Sequence, residues 1–274
     1  MQVRTFASGS SGNCFLVESE GTRLLIECGR SLGSILAYLE MCEIGPEQLD
    51  GILLTHAHGD HCRSAPLLAE QYRVPIFASV GTLGELHLQD PRLGRPIEAE
   101  RPFAVGELEV RPFAVPHDCY EPLGFRFESA SGRVCLTTDL GWVPASALQH
   151  FRDVDLLVLE SNYDPRMLAE GPYPGFLKRR VAGNHGHLSN GAAAAAIAAC
   201  GDRAPGTVWL AHISEQNNTP SLALDTIRRT LRKRGLAHVP VKTTRHRRPS
   251  LHWDNRTAPA ARERQLSLFD PVPA

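Results

Sequence analysis

The residues able to do chemistry concentrate in one stretch of this 274-residue chain, Thr55-His56-Ala57-His58-Gly59-Asp60-His61. Four side chains of metal-ligand type fall within six residues, directly behind the apolar run Gly51-Ile52-Leu53-Leu54. His56 and His58 alternate by two, so on extended backbone they project the same way. Asp60 and His61 then turn toward a helix expected near Cys62 or Arg63. One loop can therefore offer His56 and His58 to one cation and Asp60 and His61 to another. Two cations about 3.5–4 Å apart can clamp the attacking and the leaving oxygen of a displacement. Such a centre needs more ligands, and candidates stand at strand ends. His117 follows Phe113-Ala114-Val115-Pro116, Asp139 follows Val134–Thr138, and His212 follows Val208-Trp209-Leu210-Ala211.

The elements that must carry these residues are legible from hydrophobic spacing. Cys14–Val17 and Arg23–Ile26 read as a hairpin, and Ile52–Leu54, Pro75–Ala78 and Asp155–Leu159 as buried strands. Leu108–Val115 and Leu123–Phe127 alternate as strands, and Arg133–Thr137 pairs with the latter across Ser131-Gly132. Ser31–Met41, Ala65–Tyr72, the alanine-rich Asn190–Cys200 and Leu222–Arg234 have helical spacing, and Thr207–Leu210 is a further strand. Strands and helices alternate, with antiparallel hairpins among them. The fold class expected is α/β, two packed sheets with helices outside: an αββα sandwich.

The bulk numbers suit one large soluble domain: 42% hydrophobic residues, 22% charged, net charge −1. Near-neutral charge excludes a globally polyanion-seeking protein and directs attention to local patches. Seven dispersed cysteines without a C-x-x-C pair argue for a reducing, cytoplasmic setting. The start carries no secretory signal pattern, and no run approaches the roughly 20 apolar residues of a membrane span.

The pattern His-x-His-x-Asp-His behind a strand, with the later His and Asp residues, resembles the metallo-β-lactamase superfamily along nearly the whole chain. That resemblance implies the metallo-β-lactamase fold and assigns His56, His58 and His117 to one cation. It assigns Asp60, His61 and His212 to the other, with Asp139 bridging. A donor set of His and Asp without Cys suits Zn2+ or Mn2+. Two more residues gain a role by resemblance to the tRNA 3′-processing branch. Glu160, closing Asp155–Leu159, and His187, in Gly186-His187-Leu188-Ser189-Asn190, match a pair that protonates a leaving oxygen there. A departing alkoxide needs a proton, and a His held by a carboxylate can give one. Asp60, His187 and Glu160 are thus the expected catalytic residues.

Further segments resemble the bacterial YycJ/WalJ-like group of metallo-β-lactamase-fold exonucleases. They include Ala7–Asn13, Pro116-His117-Asp118, Glu160-Ser161-Asn162, Tyr173-Pro174, Lys178-Arg179-Arg180, Gly186–Asn190 and His212–Asn218. The resemblance implies phosphodiester hydrolysis, 5′→3′ on DNA, in replication or repair. Two departures stand out: Glu27 where Asp is common, and Tyr163 where many relatives have His. The interval from Glu160 to His212 is too short for an inserted cap domain. Nine Lys or Arg and no Asp or Glu lie between Thr226 and Arg248. Arg228, Arg229, Arg232 and Lys233, with the second patch Lys178, Arg179 and Arg180, are the expected DNA contacts. Rival readings are a ribonuclease of the same fold, a thioester or lactone hydrolase, and a non-catalytic adaptor.

The expected catalytic domain spans residues 1–245 and a flexible basic linker residues 246–264. After it, Gln265-Leu266-Ser267-Leu268-Phe269 resembles the peptide that binds the bacterial DNA polymerase III sliding clamp. Leu266, Leu268 and Phe269 are too apolar for a solvated tail unless a partner buries them.

Overall fold

A computed structural model of the chain describes residues 1–256 and the backbone of 263–265. Six strands open the chain: β1 (Gln2–Ala7), β2 (Cys14–Ser19), β3 (Thr22–Ile26), β4 (Gly51–Leu53), β5 (Ile76–Ala78) and β6 (Gly94–Pro96). Seven follow: β7 (Phe103–Val105), β8 (Leu108–Ala114), β9 (Leu123–Ser129), β10 (Gly132–Thr137), β11 (Leu156–Glu160), β12 (Val208–Ala211) and β13 (Val241–Thr243). Then β14 (Leu251–Asp254) and β15 (Glu263–Gln265) return to the first set. The first sheet runs β15-β14-β1-β2-β3-β4-β5-β6 and the second β13-β12-β11-β10-β9-β8-β7.

The sandwich explains why the central strands read as continuous apolar runs. Phe15 and Val17 enter the core between the sheets, while Cys14 and Leu16, pointing the other way, pack under the helices outside. In β11, Leu156 and Val158 face inward and Leu157 and Leu159 outward. The outer layers are the helices Leu32–Glu40 and Ala65–Tyr72 on one side, Asn190–Ala198 and Pro220–Lys233 on the other. Ser31 and Ser189 start two of these helices by accepting the N–H of Ser34 and of Ala192.

Neighbouring strands run parallel where chemistry was expected: β3 with β4, and β10, β11 and β12 in succession. Parallel strands put their carboxyl ends on one rim, where ligands of α/β sheets gather. Glu27 follows β3, His56 lies shortly beyond β4, Asp139 beyond β10, and His212 follows β12, while Glu160 ends β11.

One expectation needs correction, and one element was not foreseen. Residues from 246 do not begin a linker: β14 pairs antiparallel with β1, and Leu251, His252 and Trp253 are buried. Four residues are too few to show a strand period between an arginine-rich stretch and the Asn255 turn, yet burial of Trp253 holds the segment in the sheet. The segment from Met1, read only for a missing signal, is the buried strand β1. Of the expected clamp peptide, Leu266, Ser267, Leu268 and Phe269 lie outside the described residues, and only the backbone of Gln265, in β15, is inside. Among the described residues, no helix is long and apolar enough to cross a membrane.

Candidate metal centre

The loop after β4 bends at Thr55, reaches His58 in extended backbone and then enters a single helical turn, Gly59–Cys62, with Asp60 and His61 inside it. Gly29 permits this path, because a Cβ at that position would collide with the Asp60 carbonyl. Asn13 N–H donates to the same carbonyl at 2.8 Å. Glu27, Asp139 and His212 have φ of 64°, 54° and 50°, left-handed values that turn their side chains off the strand ends. Such backbone costs on the order of 1–3 kcal/mol per residue and persists where its surroundings enforce it.

All seven expected ligands meet. His56 Nε2 lies 3.0 Å from His58 Nδ1, which lies 3.3 Å from His117 Nε2. His61 Nε2 is 2.6 Å from Asp139 Oδ2 and 3.6 Å from Asp60 Oδ2; His212 Nε2 is 3.5 Å from Asp60 Oδ2. Asp139 Oδ2 also stands 3.5 Å from His56 Nε2, so this carboxylate lies between the two sets. Among the described residues, His56–His58–His117 and Asp60–His61–His212 each converge closely enough to hold an ion.

The donors fit cations better than they fit one another. A proton can satisfy only one pair within the His56–His58–His117 trio, whereas a cation accepts all three lone pairs. Nε2 of buried His212 has no hydrogen-bond partner and faces the Asp60 carboxylate. The opposite ring nitrogens of His56 and His117 have the partners that metal-binding histidines require, and the Glu27 carboxylate lies near that of His61. Thr55 Oγ1 is 2.8 Å from His56 Nδ1, the Gly186 carbonyl 3.1 Å from His117 Nδ1, and Glu27 Oε1 3.3 Å from His61 Nδ1.

Electrostatics sorts the imidazoles. Burial, reinforced by the neighbouring His61, pushes the His56 pKa well below its usual range and keeps the ring neutral. Burial also opposes charge on His61 and His212, but the carboxylates outweigh it, Asp139 first, and raise both well above normal. Burial opposes the charge of Asp139 too, and His212 and His61 overcome it, so this carboxylate ionises well below the usual range.

Glu160 and His187 meet as expected. His187 Nδ1 is 2.8 Å from Glu160 Oε1 and 3.1 Å from Asp139 Oδ1. Glu160 is wholly buried; its Oε2 accepts the N–H groups of Leu140 and Leu188, and its Oε1 lies 2.9 Å from His212 Nδ1. Against the cost of burial, the charges of Glu160 and Asp139 push the His187 pKa up to about 9.

The centre floors a cleft of about 400 Å3 lined by Ser10, Asp118, Tyr173, Leu177, Arg180 and His187, among others. Of the seven basic residues expected to contact DNA, only Arg180 lines this cleft; its Nε is 2.6 Å from Asp118 Oδ2. Lys178 donates to the Ala169 carbonyl, and Arg179 is exposed. Arg228 and Arg232 instead line a separate groove of about 520 Å3 with His238 and Lys242. They lie there because the helix Pro220–Lys233 joins the parallel strands β12 and β13, so it runs back from the metal rim. No contact with the ligand histidines was expected of the side chains of Asn13 and Asn162, whose amides stand 3.1 Å from His61 Nε2 and 3.3 Å from His212 Nδ1. Their only signal was membership of the segments Ala7–Asn13 and Glu160-Ser161-Asn162.

Comparison with known proteins agrees with this geometry. Residues 22–213 match the model of a beta-lactamase superfamily domain. The chain is 33% identical over 243 residues to exodeoxyribonuclease YycJ of Bacillus anthracis, covering 86% of this chain and 90% of that one. It is 33% identical over 227 residues to exodeoxyribonuclease WalJ of Streptococcus pneumoniae, covering 79% and 83%. Among solved structures, the metallo-beta-lactamase fold protein YhfI of Bacillus subtilis superposes with a TM-score of 0.69 at 18% identity, over 93% of this chain and 100% of that one.

Proposed function

The chain belongs to the beta-lactamase superfamily and has the metallo-β-lactamase fold, and within it we propose a dinuclear metal-dependent nuclease that removes nucleotides from DNA in the 5′→3′ direction. The observation that carries the reading is the contact of His187 with Glu160, directly beside two clusters of His and Asp side chains that could each hold an ion. Hydrolysis of a phosphodiester needs both an activated water and a protonated leaving group, and this cleft has residues for each. The names of the two relatives, both exodeoxyribonucleases, favour DNA.

His56, His58 and His117 would hold one cation, Asp60, His61 and His212 the second, with Asp139 shared. Zn2+ or Mn2+ suits these donors, and when bound such ions supply the Lewis acidity that polarises a phosphate and activates water. Asp60, partly open to the cleft, orients the attacking side. Glu160 fixes His187 through Nδ1, which leaves Nε2 as the atom that passes a proton to the leaving oxygen. Asp118 holds Arg180 at the mouth of the cleft, where the guanidinium meets incoming phosphate.

All seven cysteines are free thiols, which suits a cytoplasmic enzyme. We read Gln265–Phe269 as a sliding-clamp ligand that would bring the nuclease to replicating or repaired DNA. Removing those five residues should abolish binding to the clamp and spare cleavage of naked DNA; unchanged clamp affinity sinks that part.

The test of the activity is digestion of end-labelled duplex DNA, with RNA of the same sequence alongside, in Mn2+, Mg2+ and Zn2+. DNA shortened from its 5′ ends is the expected result. Faster loss of the RNA would make this a ribonuclease, and turnover of thioesters but neither polymer would make it a small-molecule hydrolase.

A further inference from the structure

We propose that Tyr120, Trp142 and Phe176 form a rim of stacking platforms for unpaired nucleobases, so that the preferred substrate is a single-stranded or frayed DNA end. The inference rests on the nuclease reading and adds the form of DNA that the cleft accepts.

Scattered exposed apolar residues are ordinary. Exposed aromatic rings gathered at a cleft are not. Among the described residues, five large hydrophobic side chains are at least half exposed, and the three aromatic ones are Tyr120 at 74%, Phe176 at 69% and Trp142 at 50%. Each stands in a segment that lines the metal cleft. Tyr120 follows His117 and Asp118, Trp142 lies three residues beyond Asp139, and Phe176 stands in the helix Gly175–Val181 with Leu177 and Arg180, shortly after Tyr173.

The three segments are tied together. Gly141 N–H donates to the Pro116 carbonyl at 3.0 Å, which joins the Trp142 loop to the segment leading to Tyr120. A Cβ at Gly141 would strike the Asn184 carbonyl, so the same loop packs against the turn leading to His187. Arg180, one turn beyond Phe176, is bound to Asp118 at 2.6 Å. The Glu121 carboxylate accepts Gly81 N–H at 2.9 Å and pins the far side of the Tyr120 loop. The rings are therefore presented on braced segments.

The occupant follows from what lies between them. A protein-binding patch has an apolar centre depleted of charge. Here the rings stand on the segments that bring Asp118, Asp139 and Arg180 to a polar cleft, and Arg179 and Arg180 are exposed in the same helix as Phe176. Rings for base faces and cations for phosphates are the two contacts by which single strands are held. Duplex DNA keeps its base faces stacked and offers the rings nothing.

Trp209 and Trp253 are 0% and 1% exposed, so quenching of tryptophan emission by a bound base reports Trp142. The experiment titrates the metal-loaded full chain with phosphorothioate oligodeoxythymidylate, and with a strand of equal length built of abasic residues. Oligodeoxythymidylate should quench the emission and bind about tenfold more tightly than the abasic strand, as expected for stacked bases. Read by fluorescence anisotropy of end-labelled strands, because Trp142 is itself the reporter of the quench, Trp142→Ala and Phe176→Ala should each erase most of that preference, and Trp142→Phe and Phe176→Tyr should restore it. Equal affinity of the wild-type protein for the two strands overturns the proposal and leaves the rings to a protein partner. If the enzyme degrades DNA yet shows no base preference, the rim falls and the nuclease stands. If it degrades no DNA yet keeps the quench and the preference, the rim stands and the nuclease reading falls.

Discussion

Single charges decide what the histidines of this centre do. His187 differs from its neighbours in facing the cleft with one ring nitrogen while the other touches two carboxylates. With its pKa pushed up to about 9, it is protonated through neutrality and loses its proton only as the pH rises through that value. We expect the rate to fall on the alkaline side near pH 9. Glu160→Gln removes the largest charge that raises His187, so this limb should move to lower pH and the rate should drop about 100-fold, a typical loss for a general acid. Rate profiles measured at full metal occupancy check both; an unmoved alkaline limb would remove His187 from the reaction. Glu27 acts through His61. It is wholly buried, lies 3.3 Å from His61 Nδ1 and accepts Thr55 N–H at 3.2 Å. Glu27→Gln keeps the shape and removes the charge, and metal affinity should fall about 10- to 100-fold, read by competition with a chelator.

Elements place these residues, and here sequence and structure part in instructive ways. The ligand loop was legible because four metal-ligand side chains in six residues behind an apolar run seldom gather without a cation to hold. The central strands were legible because both their faces are buried. Not legible were short edge elements such as β6, β7 and β13, three residues each, whose pairing comes from neighbours distant in the chain. β14 is the strongest case. Trp253→Ala should cost about 3–5 kcal/mol in urea unfolding, the range for deleting a large core side chain. A flexible linker there would leave the midpoint unchanged. Also illegible was the polar joint behind the metal rim. The Asn218 amide donates to the carbonyls of Ser161 and Asn162 and to Asn190 Oδ1, fastening the end of β11 to the start of the helix Asn190–Ala198. Its partners lie at least 28 residues away, so no spacing rule could show it. Asn218→Ala takes the donor from the Ser161 carbonyl and the acceptor from the Asn190 side-chain N–H, and should destabilise the fold by about 1–3 kcal/mol in the same assay.

At the scale of the whole molecule, the proposed nuclease would have to hold a polyanion with a chain of net charge −1. Two separated basic regions are available for this. Arg180 guards the cleft, while Arg228 and Arg232 lie along a helix that runs back from the metal rim. Arg232 is ~18 Å beyond the helix start, at 1.5 Å per residue. Double-helical DNA advances ~3.4 Å per base pair, so a strand end seated in the cleft reaches that groove only after ~5 base pairs. Short and long substrates should therefore respond differently to charge reversal. With Arg228→Glu and Arg232→Glu combined, a trinucleotide should be cleaved as fast as before. A 20-base-pair duplex with a frayed end should bind more weakly, and its log affinity against log salt should flatten by about two phosphate contacts, near 0.9 each. Anisotropy titrations at several salt concentrations measure the slope. Equal loss on both substrates would mean that the helix acts on the cleft itself, and no loss on either would leave its charges merely solvated.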